Sequence, residues 1–260
     1  MIYSFVSGAT GGIGKAFSIE LAKTGNNLFL TGRSEEKLIK LKEELSIYGV
    51  EIEVFACNLV NDNERLSMLS FIKERQMTFN KIINVAGVDI QKAFLDYTYE
   101  KVLMQIRVNV ESTISLTYAL LKLREPSTEI VTVSSMSGVT PMPYFALYSA
   151  TKSMLTSFFM ALRLELKGEG VKITTVLPGG VPTREDIILD IKNQGIWGKL
   201  SSKSPKFVAK KSLSKVKKNK AKYIPGFFNK LLNFLMKLVP VKLQMIFIKN
   251  RWKKQSKDAF

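Results

Sequence analysis

"SGATGGIG", residues 7–14, follows directly on "IYSFV" (2–6) and leads into a segment with Ile13, Phe17 and Leu21 at helical spacing. The apolar, aromatic run reads as a buried strand. The i, i+4 spacing behind it reads as an amphipathic helix. Between the two, Gly8, Gly12 and Gly14 let the chain turn tightly and allow a ligand to approach the bare backbone. A helix that opens behind such a turn presents its unpaired amides to an anion, and a pyrophosphate fits that position well. The stretch therefore reads as strand, anion-binding turn and helix.

The same alternation continues along the chain. "LFLT" (28–31), "EIEVFA" (51–56), "KIINV" (81–85), "EIVTVS" (129–134) and "KITTVL" (172–177) read as strands, and "AKYIPG" (221–226) as a last one. Helical patterns separate them. One opens with Ser34 as its N-cap, carries Leu38, Leu41 and Leu45 on one face and stops at Gly49; others lie near 61–75, 99–122 and 147–167. Strand and helix in alternation specify an α/β fold, a parallel sheet with helices on both faces. Ligands of such sheets bind beyond the carboxyl ends of the strands. The residues that follow each strand are therefore the candidates for function.

Composition removes several kinds of chemistry. The chain of 260 residues is 46% hydrophobic, which suits a globular core, and it has no histidine. Histidine-based nucleophilic triads and histidine metal ligands are excluded. Cys57 is the one cysteine, so it forms no internal disulfide and anchors no cysteine cluster; no metal is expected. No secretory leader is evident, and a reducing, cytoplasmic setting is expected. The net charge is +17, and it is concentrated. Residues 200–260 hold 17 of the 39 lysines and arginines but only Asp258 of the 22 acidic residues, which leaves the body of the chain close to neutral. A basic tail on a near-neutral body points to an anionic partner for the tail alone.

Tyr148 and Lys152, in "LYSATK" (147–152), stand four residues apart on one helix face. A cation there can ease the loss of a phenolic proton whose ordinary pKa is about 10. Alone the pair is a common spacing. It gains meaning from its company. "SGATGGIG" resembles the T/S-G-x-x-x-G-x-G turn of short-chain dehydrogenases/reductases. "NVAG" (84–87) resembles that family's N-N-A-G loop, and Asn109 in "RVNVES" matches its helix asparagine. Ser135 lies 13 residues before Tyr148, and "PGGVPT" (178–183) resembles the P-G-x-V-x-T loop. The landmarks occur in the family's order over roughly residues 1–185.

The resemblance implies a Rossmann-like doubly wound parallel sheet of about seven strands with a helical C-terminal extension. It also implies a nicotinamide dinucleotide and a carbonyl or alcohol substrate. Tyr148 becomes the general acid in reduction, Lys152 its electrostatic partner and a holder of the nicotinamide ribose, and Ser135 the group that positions the substrate oxygen. Asn109 is assigned a water that links Lys152 to solvent. Ser134 is adjacent to Ser135 and either could be structural; spacing favours Ser135. The cofactor is expected to touch Ser7, Gly8, Gly12, Ile13 and Gly14 of the first turn, and Asn58 and Leu59 after the third strand. Asn84, Ala86 and Gly87 after the fourth strand are expected to join them, with Pro178, Gly179, Val181 and Thr183 at the nicotinamide. Gly32 stands where NAD-preferring members carry an aspartate, while Arg33 and Ser34 can meet a 2′-phosphate. NADP(H) is the expected cofactor.

Residues 1–226 are expected to form one catalytic domain, with "REDIILDIKNQGIWGKLSSKSP" (184–205) as an apolar lid over the substrate. Met142, Tyr144 and Phe145 would line the same pocket. An apolar ketone or aldehyde suits these residues, such as a long-chain 3-oxoacyl or steroid-like carbonyl. Residues 227–260 form a basic amphipathic extension. In it Phe227, Phe228, Leu231, Leu232, Leu235 and Leu238 face one way, and Asn229, Lys230, Asn233 and Lys237 another. That apolar face can cover the catalytic domain, pair with a second subunit in a homo-oligomer, or lie on the inner face of an anionic membrane. The run 210–222 is basic but lacks interleaved aromatic residues, so no specific nucleic acid is expected. The competing functional reading is a catalytically silent dinucleotide-binding regulator or scaffold that docks through the basic tail; the intact Ser135, Tyr148, Lys152 and Asn109 argue against it.

Overall fold

The computed structural model describes residues 1–253 and Asp258; Lys254 and Lys257 of the expected basic extension lie outside the described residues. Seven strands make one sheet: β1 (Ile2–Ser7), β2 (Leu28–Gly32), β3 (Ile52–Ala56), β4 (Thr78–Asn84), β5 (Arg124–Val133), β6 (Val171–Val176) and β7 (Lys222–Tyr223). Their order is β3-β2-β1-β4-β5-β6-β7, with every pairing parallel. The order reverses between β1 and β4. The connections that leave these two strands diverge there and open a crevice at their carboxyl ends. The expected doubly wound architecture is thus present.

Both faces of the sheet are covered. On one lie α1 (Gly12–Ala22), α2 (Glu35–Leu45) and, from much later in the chain, α9 (Pro205–Lys217). Their Phe17, Leu21, Leu38 and Val208 pack against Leu30 and Val131 of the sheet. On the other lie α3 (Asp62–Glu74), α5 (Ser112–Leu121) and α6 (Ala146–Glu165), whose Met68, Leu116 and Phe159 pack on Phe5, Phe29 and Phe79. Phe5 stacks on Phe29 at 5.9 Å between ring centroids, and Phe79 meets both edge-on. Each fully buried phenylalanine contributes on the order of 1.5–3 kcal/mol by removal from water. Helix starts follow local chemistry: Ser34 accepts from the Lys37 amide, Asn61 from Asn63 and Glu64, and Ser204 from Phe207 with Pro205 behind it.

Three features depart from the periodic pattern. The segment 99–122 is not one helix: α4 (Tyr99–Ile106) and α5 are separated by a π-helical turn over Arg107–Glu111. That turn re-aims Asn109 into the interior, and its Glu111 is held by the buried Arg65 guanidinium, which also bonds Asp62 and the Leu59 carbonyl. The last strand pairs only Lys222 and Tyr223 with β6; Pro225 offers no donor, and Gly226 turns away at φ 90°. The segment after β6 forms α7 (Glu185–Asn193) and α8 (Gly195–Ser201), and the extension forms α10 (Phe227–Leu238) and α11 (Val241–Trp252). Most of the apolar stripe of α10 is turned outward: Phe227, Leu231, Leu232, Leu235 and Leu238 are exposed. Asn229 points in, 1% exposed, and donates to the carbonyls of Ser201 and Pro225, each at 2.8 Å. These two hydrogen bonds fix the rotation of α10, so most of this stripe does not cover the catalytic body.

The first turn leaves no room for side chains. A Cβ on Gly14 would lie 2.1 Å from the Gly8 carbonyl oxygen, and one on Gly8, itself at φ 64°, would lie 2.9 Å from the Ala86 Cα. The obstructing atoms are backbone and cannot swing aside. Gly14→Ala is therefore expected to destabilise the protein by about 1–3 kcal/mol and to weaken dinucleotide binding; thermal melting with and without the dinucleotide measures both. An unchanged melting temperature and affinity would contradict the packing described.

Candidate active site

The crevice holds two adjoining cavities. The larger, about 770 Å³, runs along the carboxyl ends of β1, β2, β3 and β4. Gly8, Gly12, Ile13 and Gly14 form its floor, Arg33 stands at the β2 end, Asn58 and Leu59 at β3, and Ala86 and Gly87 at β4. Thr183 reaches it from the loop after β6 and sits so close to α1 that a Cβ on Gly12 would lie 2.7 Å from its methyl group. Helix α1 begins here with no side-chain cap and no acidic residue in its first turn. Its unpaired amides and positive dipole end are left for an anion. A long groove with a side-chain-free, anion-attracting floor fits a dinucleotide, with its pyrophosphate at α1. The β2 end supplies the exposed Arg33 and, one turn on, Lys37. Cys57 contributes no reactive thiolate, because burial pushes its thiol up to about 11.

The smaller cavity, about 320 Å³, opens beside the far end of the first. At the junction stand Ser135, Tyr148 and Lys152, with Pro178, Gly179 and Val181 behind them. Ser135 follows β5 and opens a short 3₁₀ turn over Met136–Gly138, so its hydroxyl leaves the sheet toward the cavity. The Tyr148 hydroxyl shares a hydrogen bond with Ser135, and its ring stacks on Phe145 at 4.4 Å. Ser134 has a different task. It is buried, donates to the Lys152 carbonyl at 2.7 Å and shares a hydrogen bond with Thr156. Of the adjacent serines, Ser134 is thus engaged in packing, while Ser135 keeps its hydroxyl beside Tyr148 at the cavity.

The electrostatics differ from the sequence expectation. Lys152 is buried, and its ammonium donates to the Val133 carbonyl at 3.0 Å, not to the phenol. Burial draws it down to about 8, with the Asp89 carboxylate opposing. Tyr148 is held above its ordinary range, first by burial and then by Asp89, against the smaller opposing effects of the Ser135 hydrogen bond and Arg184. The site therefore keeps Tyr148 protonated, the form in which it can donate.

Four of the expected site residues brace the walls instead of lining them. Ser7 accepts from the amides of Val85 and Ala86 and ties the loop after β4 to β1. Asn84 donates to Thr117 and Thr132, locking β4 to α5 and β5. Ser34 caps α2. Asn109 accepts from the Val88 amide at 2.7 Å and donates to the Val88 carbonyl and to Thr151, so it links the β4 loop to α6. Of the residues expected around the substrate, Phe145 lines the small cavity. Met142 packs behind it with Ile248, and Tyr144 is a left-handed residue at φ 63° outside the lining. From the lid, Ile187 and Ile191 face the cavity, but so do Asp190 and Gln194, while Ile196 and Trp197 are exposed.

Several lining residues were not foreseen. Lys37 had a signal, one helical turn after Arg33. Arg184 had one too: it follows Thr183, and its guanidinium bonds Asp89 at 2.9 Å and Asp186 at 3.1 Å, joining the lid to the β4 loop. Asp89 and Gln91 had none. Trp252 comes from the far end of α11 and reaches the cavity wall at 6.4 Å from Phe145. No spacing in the sequence connects these two residues.

The depressed Lys152 gives a test that needs no substrate. Its unfolded pKa is 10.5 and its folded one about 8. Between these values the unfolded chain binds more protons, so this group makes folding stability rise with pH. Lys152→Met is expected to lose that contribution, and the melting-temperature difference between variant and wild type should change across this range. A constant difference would contradict the buried, depressed ammonium.

Comparison with known proteins agrees with the geometry. Residues 3–188 match the family model described as short chain dehydrogenase. An uncharacterized oxidoreductase of Staphylococcus epidermidis is 29% identical over 180 residues, covering 68% of this chain and 77% of that protein. A very-long-chain 3-oxoacyl-CoA reductase of Anas platyrhynchos is 32% identical over 194 residues, 70% of this chain and 60% of the relative. Among solved structures, a 7β-hydroxysteroid dehydrogenase superposes with a TM-score of 0.84 at 24% identity, over 95% of this chain and 96% of the other. The chain belongs to the short chain dehydrogenase family of oxidoreductases, whose fold binds a nicotinamide dinucleotide.

Proposed function

We propose that the chain is an NADPH-dependent reductase of a ketone or aldehyde, working in the opposite direction on the matching alcohol. The observation that carries this reading is the meeting of Ser135, Tyr148 and Lys152 where the dinucleotide groove joins a second cavity. The bound nicotinamide supplies the hydride. Everything else is the work of side chains. Ser135 and Tyr148 hold the carbonyl oxygen between two hydroxyls, which fixes the carbonyl carbon toward the groove. Tyr148 then gives its proton to that oxygen as charge develops on it. Burial keeps the phenol protonated until that moment, and the Lys152 cation offsets the negative charge it leaves behind. Asn109 keeps the β4 loop and α6 at fixed separation, and a water held there would resupply the proton.

The cofactor preference rests on Gly32, Arg33 and Lys37. Two cations and a glycine suit a 2′-phosphate, whereas a ribose hydroxyl is better met by a carboxylate. Asn58 replaces an acid at the adenine end; its side-chain oxygen already accepts from the Val60 amide at 3.3 Å and retains a lone pair for an amine. The small cavity has an apolar side formed by Phe145, Ile187, Ile191 and Trp252 and a polar side formed by Asp89, Gln91, Asp190 and Gln194. A long-chain 3-oxoacyl or steroid-like carbonyl, apolar in its skeleton with a second oxygen to hydrogen-bond, suits both.

Wild type is expected to oxidise NADPH faster than NADH in the presence of such carbonyls, and Arg33→Ala to narrow the difference. Tyr148→Phe should lower turnover by about 10²–10⁴-fold or more while NADPH still binds. Steady-state rates and equilibrium binding decide this. Retained turnover in Tyr148→Phe would reject the proton donor, and a clear NADH preference would reject the reading of Arg33.

A further inference from the structure

The pair of helices α10 and α11 has two faces of opposite use. Inward, Trp252 lines the small cavity beside Phe145 while Ile248 packs behind with Met142, and Gln244 donates to the carbonyls of Met236 and Val239 at the bend between the helices. Outward, both helices expose large apolar side chains. Phe227 is 80% exposed, Leu238 68% and Phe247 67%, with Phe234, Leu235 and Ile246 exposed beside them. Singly exposed apolar residues are ordinary, but this many on two consecutive helices mark an interaction surface.

The charges on the same helices identify the partner. Lys230, Lys237, Lys242 and Lys249 occupy exposed positions of α10 and α11. From residue 191 to residue 257 the chain has no aspartate or glutamate. Neither helix therefore supplies an acidic counterpart to its own lysines. Lys222, beside α10, is held below its ordinary range by burial and then by the charge of Lys237. A second copy of the chain docking through this patch would set lysines against lysines, because a two-fold interface meets itself. Each helix has 12 residues, and no described helix is long and apolar enough to cross a membrane. α10, whose apolar residues are gathered on one stripe, is of the kind that lies in the plane of a bilayer surface with the apolar side down, and α11 adds exposed apolar residues and lysines beside it.

We propose that the outer face of α10 and α11 docks on an anionic lipid surface, with its apolar side chains among the headgroups and its lysines against lipid phosphates. The inner face of the same pair closes the substrate pocket, so docking places that pocket next to the bilayer. Lipid binding is measured without turnover, so the proposal stands or falls apart from the reductase reading.

The test is co-sedimentation of the full chain with vesicles of phosphatidylcholine alone and of phosphatidylcholine with phosphatidylglycerol, at low and high salt. Binding to the phosphatidylglycerol vesicles is expected to be at least tenfold stronger and to weaken with salt. A Phe234→Glu, Leu235→Glu, Phe247→Glu variant should lose at least tenfold in binding. A Lys237→Glu, Lys242→Glu variant should lose the preference for anionic lipid; melting curves and NADPH titration check that each is folded. Three results would overturn the proposal: no sedimentation with either vesicle, undiminished binding by both folded variants, or a wild-type dimer in solution that the triple substitution splits.

Discussion

Everything at this site depends on how closely two loops approach at the reversal point of the sheet. The turn after β1 and the loop after β4 touch backbone to backbone, with the Ala86 Cα where a side chain on Gly8 would be. That contact brings Gly87 within reach of both the Lys152 ammonium and the Asn109 amide; a Cβ there would lie 3.2 Å from one and 3.3 Å from the other. The dinucleotide floor and the Lys152 ammonium are thus parts of one packing arrangement. Ser7 and Asn109 hold the β4 loop from opposite sides, by side-chain bonds to Val85, Ala86 and Val88. Neither needs to touch a ligand to matter for the reaction.

The reaction centre is costly to fold. A lysine at 3% exposure gives up its hydration for one carbonyl bond and a distant carboxylate, and a left-handed tyrosine introduces the helix that carries it. Both lie in or next to the small cavity, which sits against a core of fully buried phenylalanines and parallel strands. Stability is concentrated in the sheet, and the site uses part of it to keep a cation and a protonated phenol away from water. The α7–α8 segment, joined to the β4 loop through the Arg184–Asp89 ion pair, provides the remaining wall.

How much of this was legible in the sequence follows from what each feature depends on. β1 to β6 were readable because buried parallel strands are continuous apolar runs, and the order of the glycine turn, Ser135, Tyr148 and Lys152 located the crevice. The division of the helix around Asn109 was not readable, since one inserted residue in a helical turn leaves the periodic pattern almost intact. The bracing roles of Ser7 and Asn84 were hidden because a motif specifies position but not which way a hydroxyl or amide points. The orientation of α10 was left open, because an apolar stripe fits a domain surface, a second subunit or a membrane equally well; the Asn229 bonds to Ser201 and Pro225, which turn most of the stripe outward, have no signature in the spacing. Trp252 joined the pocket through tertiary packing alone.

The central claim is that Tyr148, Ser135 and Lys152 serve hydride transfer to a carbonyl carbon. The most direct measurement supplies NADPH carrying deuterium at both C4 positions of the nicotinamide ring, with a panel of ketones, aldehydes and acyl thioesters bearing keto groups, and examines the products by mass spectrometry and NMR. The account predicts, for at least one substrate, a single deuterium on the carbinol carbon, on one face only, formed at least about 10²-fold more slowly with Tyr148→Phe. Tight NADPH binding without labelled alcohol from any member of the panel would contradict it and favour a silent dinucleotide-binding protein.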